Sequence, residues 1–315
     1  MAEVSLIAGY ATIGQGAGPM IVTERAGLFA KHGLQVTTRL MGGAKGVVKG
    51  LVQGEIQFGN LAAPALLRAV LEDGADLVFL TGGINQQFLV GRPGIKDRRG
   101  LGRARIGFVG DGGLNDVLVY FVVERLEKEN IRGLRLVPLP AGGRDGTAAL
   151  LAKECDALVM TPPEAIEARM RGCAFLIDFA EFGLNYALGG IATRRRTIRD
   201  ELETVRRFVA AYVEGMNRYR TDREFTVSVQ REYSGIADRT VAEETYDLTR
   251  PGMPEMPYSV IEALQTALNV MARDLPSAGT ADARRFVDDR FIRELAVEDS
   301  AQRKQESGQG HNITR

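Results

Sequence analysis

From Val4 onward, short apolar runs alternate with stretches of helical period. VSLIAG, residues 4–9, reads as a strand. PMIVTERAGLFAKHG, 19–33, reads as one helix, with Pro19 near its start and Gly33 at its end. QVTTRL, 35–40, is β-branched and predicts a second strand. AKGVVKGLVQG, 44–54, predicts a short amphipathic helix with Val47, Val48, Leu51 and Val52 on one face. EIQFGN then reads as a strand, AAPALLRAVLEDG as a helix and LVFLTG as a strand. This alternation predicts an α/β fold with a mostly parallel sheet.

A second series repeats the rhythm. RIGFVG, LRLVPLP, ALVMT and AFLID predict strands. NDVLVYFVVERLEKEN, RDGTAALLAKE and PPEAIEARMRG predict the helices between them. GLVQGEIQFGN (50–60) and LLAKECDALVMTP (150–162) share a helix end, a tight turn, a strand and a loop, which is an echo and not a repeat. Past residue 189 the pattern becomes almost wholly helical. Asp200 to Arg220 carries one stripe of Leu202, Val205, Phe208, Val209, Tyr212, Val213 and Met216. PGMPEMP, 251–257, is a stiff connector, and the polar segment 299–315 is expected to be a disordered tail.

Length and composition narrow the function classes. A chain of 315 residues is long enough for two lobes, each with its own core. Forty basic and forty acidic residues cancel, which argues against nucleic acid as a partner. No apolar run approaches the roughly 18 residues needed to span a bilayer. MAEVSLIAGY shows no signal peptide, so the chain is either cytoplasmic or a periplasmic protein whose leader is missing from this sequence. Cys155 and Cys173 fit no zinc spacing and read as buried thiols, with a disulfide left open. The only histidines are His32 and His311, so a His-based metal centre or Ser-His-Asp triad has little to draw on. No metal and no cofactor are expected.

The stretch RLMGGAKGVVKGLVQGEIQFGN, 39–60, first suggests a phosphate loop. No Ser or Thr follows Lys45 or Lys49, so it is not a Walker A motif. GQGAGP, 14–19, fails as a dinucleotide fingerprint because Pro19 takes the third glycine's place. Glycines after a strand and before a helix still let a ligand approach backbone N–H groups. Such loops follow strands at Thr12, Gly14 and Gln15, at Gly43, at Asn60, at Thr81 and Gly82, at Asp111 and Gly112, at Arg144, and at Thr161 and Glu164. Together they favour a ligand crevice at the carboxyl ends of the strands. The two lysines read as the solvated face of the short helix.

GPMIVTERAGLFAKHGLQVTTRLMGGAKGVVKGLVQGEIQFG, 18–59, resembles the N-terminal signature of periplasmic substrate-binding proteins of the nitrate/sulfonate/taurine type, the NMT1/THI5-like proteins. The G-L-F-x-x-x-G-L-x-V turn falls at Gly27 to Val36 and the G-x-[IV]-[DQ]-F-G helix end at Gly54 to Gly59. RIGFVGDGG and ECDALVMTPPEA match the second half of the pattern, so the resemblance covers about residues 4–220. It implies a type II periplasmic-binding-protein fold: two α/β lobes, two crossover strands near Leu89–Pro93 and Tyr186–Thr193, and a helical C-terminus. Lobe one would be residues 1–92 plus 190–298, and lobe two 93–189.

Hydroxyls are sparser in these loops than in sulfonate and nitrate binders, where they help to hold the anion. Amides at Gln15, Asn60, Asn115 and Asn185, with Phe182 and Tyr186 as walls, favour a small organic ligand, anionic or heterocyclic. Arg144 would pair a carboxylate if it faces the crevice. The resemblance implies the solute-binding component of an ABC importer, a monomer partnered by an inner-membrane permease. Closing the lobes requires the ligand to favour the closed state by roughly 5 kcal/mol, hence contacts from both lobes. The alternative is a cytoplasmic enzyme on the same fold, of the pyrimidine-precursor synthase, aromatic decarboxylase or menaquinone-pathway type.

Overall fold

The computed structural model describes residues 4–84, 86–110, 112–139, 146–184 and 189–309, with side chains through residue 300. The strands, in chain order, are β1 (Val4–Tyr10), β2 (Leu34–Leu40), β3 (Phe58–Ala62), β4 (Leu77–Phe79), β5 (Phe88–Gly91), β6 (Arg105–Phe108), β7 (Arg135–Pro138), β8 (Ala157–Met160), β9 (Ala174–Asp178) and β10 (Gly189–Arg194). They form two five-stranded sheets, ordered β2-β1-β3-β10-β4 and β7-β6-β8-β5-β9. The βαβ alternation read from the sequence gives the parallel pairs, such as β1 with β2 from Val4↔Leu34 to Tyr10↔Leu40. Each sheet also holds one antiparallel intruder. β10 runs against β3 and β4, and β5 runs against β8 and β9.

These two strands are the crossovers, and each sits inside its sheet rather than at an edge. Each is a full member of the sheet it enters: the chain passes to the second sheet between Phe79 and Phe88, ahead of the expected Leu89–Pro93, and returns to the first between Asp178 and Gly189, with part of the expected Tyr186–Thr193 outside the described residues.

The helices are α1 (Gly18–Arg25), α2 (Leu28–Lys31), α3 (Ala44–Gln53), α4 (Ala63–Glu72), α5 (Leu114–Lys128), α6 (Gly146–Leu151), α7 (Glu164–Met170), α8 (Arg195–Asp200), α9 (Leu202–Thr221), α10 (Arg223–Ser234), α11 (Arg239–Thr249), α12 (Ile261–Met271) and α13 (Arg290–Gln309). The single helix expected over 19–33 is two, because Gly27 takes φ 67° and turns the chain between α1 and α2. The stripe on α9 packs over the first sheet. Phe208 stacks on Phe58 with centroids 3.7 Å apart and on Phe29 at 4.9 Å. Leu202 lies outside that stripe, exposed at the helix start. On α3, Val47 and Leu51 are fully buried but Val52 is 51% exposed, because its side of the helix faces an open groove toward α4. The polar segment 299–315, expected as a disordered tail, includes the last turns of α13, which is described as far as Gln309.

In the second sheet Asp156 joins two arginines. Arg92 Nε lies 2.8 Å from one carboxylate oxygen, and Arg105 gives the other its backbone N–H at 2.8 Å and its Nε at 3.1 Å. Burial alone would raise this carboxyl, but the hydrogen bonds from Arg105 and Arg92 overcome it and hold it down to about 2. A depressed carboxylate contributes stability above its unfolded value of roughly 4 and loses that contribution as pH falls. The stability difference between the native protein and Asp156→Asn is therefore expected to shrink between roughly pH 4 and about pH 2. Urea midpoints of the two proteins across that window measure it; a constant gap would show that the two arginines do not stabilise the ionised form.

Candidate functional site

The carboxyl ends of β1, β2 and β3 in the first sheet face the carboxyl ends of β6 and β8 in the second. Between them lies a crevice of about 360 Å³. Its first wall is the segment Ala11–Ala17 after β1, with Gly43 and Ala44 at the start of α3 and Asn60–Ala62 of β3. Its second wall is Val109, Gly113, Leu114 and Asn115 before and at the start of α5, with Thr161 after β8. Gly83, Ile84, Gln87 and Gly190, from the two crossings, complete it.

Backbone bonds stitch the first wall. Ala11 N–H donates to Asn60 O at 3.1 Å, and Gly43 N–H to Ala11 O at 2.8 Å. Behind Gln15, the Tyr233 hydroxyl on α10 donates to Gly14 O at 2.7 Å. Burial pushes the Tyr233 phenol well above its ordinary value, so it stays a neutral donor. In the second wall, the buried Asp116 carboxylate accepts from the N–H groups of Val109, Gly110 and Gly112 at 3.1, 3.0 and 2.8 Å. That carboxylate shapes the loop and offsets the positive end of α5.

Seven of the residues singled out in the sequence line this crevice: Thr12, Gly14, Gln15, Gly43, Asn60, Asn115 and Thr161. Asp111, Arg144, Asn185 and Tyr186 lie outside the described residues. The remaining five do not line it. Thr81 is fully buried, donating to Gly82 O and accepting from Ile191 N–H. Gly82 presses against the 257–258 backbone and donates to Pro257 O. Gly112 opens instead onto a neighbouring cleft beside Arg68. Glu164 accepts from Gly146 N–H at 2.7 Å, tying α7 to α6. Phe182 packs edge-on against Phe121, beneath Arg125.

Gln87, Ile84, Leu114 and Gly190 were missed. Ile84 and Gln87 lie just past the loop flagged at Thr81 and Gly82, and neither is a residue type that marks a site by itself. Lys45 and Lys49 are exposed, as the sequence suggested, and rim the groove between α3 and α4.

No Asp, Glu, Lys, Arg, His or Cys among the described residues lines the crevice. Cys155 and Cys173 are free thiols buried among Phe88, Leu158 and Ala165 of the second sheet's core. Burial pushes the Cys155 thiol up to about 11, so it is not a nucleophile at neutral pH. Among the described residues no cluster of His, Cys, Asp or Glu could hold a metal ion, and no helix is long and apolar enough to cross a membrane.

The model of the NMT1/THI5-like proteins matches residues 16–222. The chain belongs to that family. No curated protein sequence matches it significantly. Among solved structures it is similar to the periplasmic aliphatic sulphonate binding protein SsuA from Escherichia coli, at 18% identity and TM-score 0.73, covering 91% of this chain and 92% of that one. It is equally similar to the alkanesulfonate-binding protein SsuA from Xanthomonas axonopodis pv. citri bound to MOPS, at 19% identity and TM-score 0.71, covering 91% and 99%. The desulfurization enzyme DSZB also superposes, at 17% identity and TM-score 0.67, covering 93% and 99%. The two-sheet architecture of this NMT1/THI5-like chain is thus the periplasmic-binding-protein fold, and the same fold carries both binding proteins and an enzyme.

Proposed function

We propose that the protein is the solute-binding component of an ABC importer. It captures a small organic ligand between its two lobes and delivers it, as a monomer outside the inner membrane, to a permease. One observation carries this reading: the crevice draws side-chain amides from both walls, Gln15 and Asn60 on one and Asn115 on the other, with Gln87 at a crossing, and its described lining is otherwise small, apolar or hydroxyl-bearing. Amides placed on two facing walls suit the capture and release of a small organic solute. The family and the sulfonate-binding neighbours support the same class. The lobes would be residues 1–92 with 190–298 and residues 93–189, except that the pairing of β5 moves the first boundary back to just before Phe88.

The enzymatic reading keeps one support, the desulfurization enzyme on this fold. Native mass spectrometry of the purified protein separates the two. A solute that co-purifies unchanged and stoichiometrically supports capture, whereas a solute converted on prolonged incubation supports catalysis. Asn60→Ala and Asn115→Ala, one on each wall, are each expected to weaken binding of that solute by about tenfold. Titration calorimetry measures this, and unchanged affinity in both variants would place the solute elsewhere.

A further inference from the structure

We propose that the crevice takes a neutral organic molecule that presents a hydrogen-bond donor beside an acceptor, as a carboxamide, lactam or urea does. This rests on the solute-binding reading and narrows its ligand. Gln15 is 3% exposed, and neither its Nε2 nor its Oε1 has a hydrogen-bond partner. Gln87 is also 3% exposed, and its Oε1 has no partner. Both line the crevice, one from the loop after β1 and the other from the approach to β5. Buried polar groups are nearly always hydrogen-bonded. Two unpartnered amides at one crevice therefore mark groups held ready for a ligand.

The chemistry of those atoms selects the ligand class. Gln15 offers a donor and an acceptor side by side, and its complement is the same pair reversed. Exchanging its oxygen and nitrogen leaves that requirement unchanged. Gln87 adds a further buried amide atom without a partner. A sulfonate or nitrate only accepts. It would satisfy Gln15 Nε2 and leave the Gln15 amide oxygen facing anionic oxygens. Each acceptor left unpaired on burial costs about tenfold in affinity or more.

Nor do the helix ends call for an anion. The N-terminus of α5 already has Asp116, and Gly43 N–H is bonded to Ala11 O. Ile84, Leu61 and Leu114 provide apolar walls for the ligand's body.

Two measurements test the proposal. In the solute-free protein, Gln15→Leu removes an unpartnered amide while keeping its volume, so the thermal midpoint should hold or rise. A clear fall would mean that the amide is bonded within the fold, and the proposal would be wrong. Second, solute-free protein is titrated at millimolar concentration with benzamide, 2-pyrrolidone and methylurea, and with benzenesulfonate, methanesulfonate and nitrate. The amides should bind at least about tenfold tighter than the anions, and Gln15→Leu should abolish that preference. If the anions bind as well or better, and Asn60→Ala or Asn115→Ala weakens them, the ligand class proposed here falls and the solute-binding reading stands. If no probe of either kind binds, the ligand class proposed here falls, and the co-purification experiment decides the solute-binding reading.

Discussion

Gly190→Ala is expected to destabilise the protein by about 3 kcal/mol or more. A Cβ at Gly190 would stand 2.0 Å from Thr81 O and 2.8 Å from Thr81 C, with Gly190 at φ +155°. Those are backbone atoms, so no side chain can swing aside to relieve the overlap. The two segments are also bonded, since Thr81 Oγ1 accepts from Ile191 N–H at 3.2 Å. Relief would require pulling β10 away from Leu80 and Gly83, which would disturb the antiparallel pairing at the middle of the first sheet. Because Gly83 and Gly190 both line the crevice, ligand affinity should fall with stability. Gly14→Ala is the control: its backbone is extended and its Cβ meets nothing within 4 Å. Chemical denaturation of the two variants checks this. Equal midpoints would mean that the close approach at Gly190 is not maintained in solution.

Asp116→Asn should be nearly as damaging. The carboxylate accepts three backbone N–H groups, while an amide has one oxygen to offer them and turns its own N–H groups on the others. Hydrogen bonds to a buried charge contribute about 1.5–3 kcal/mol each, and the loss here is expected to be about 3 kcal/mol after the loop relaxes. The change also frees Val109 at the second wall, so binding should weaken even under conditions where the variant is fully folded. Hydrogen exchange at Val109, Gly110 and Gly112 gives the local readout. Unchanged protection in the variant would mean that the loop holds its shape without Asp116.

The strand–helix alternation was legible because it is written in local periodicity, and the parallel order of the sheets followed from it. The crevice was legible where glycine follows a strand, as at Gly14 and Gly43. The same signal misled at Thr81 and Gly82. There, glycine is needed for close packing against β10 and the 257–258 backbone, which is a long-range contact that no local pattern reveals. Phe182 looked like a wall residue because aromatics often stack on ligands, yet Phe121 claims it. Gln87 was invisible for the opposite reason. A glutamine before a hydrophobic strand reads as an ordinary loop residue until burial shows that its amide oxygen lacks a partner. Val52 belongs to an apolar stripe by spacing, but the stripe is wider than the surface that covers it.

The placement of the two crossover strands also sets an order of assembly. Every strand of the second sheet lies in one continuous stretch, from Phe88 to Asp178. The first sheet has four of its strands by Phe79, yet β4 pairs with none of them directly. It joins only through β10, which begins at Gly189. As the chain leaves the ribosome, the second sheet can therefore close first, while the first waits with a gap the width of one strand. Non-local pairings of this kind are slow to form and leave strand edges open in the meantime. Were the protein exported, as the proposed function has it, that delay would keep the chain threadable for longer.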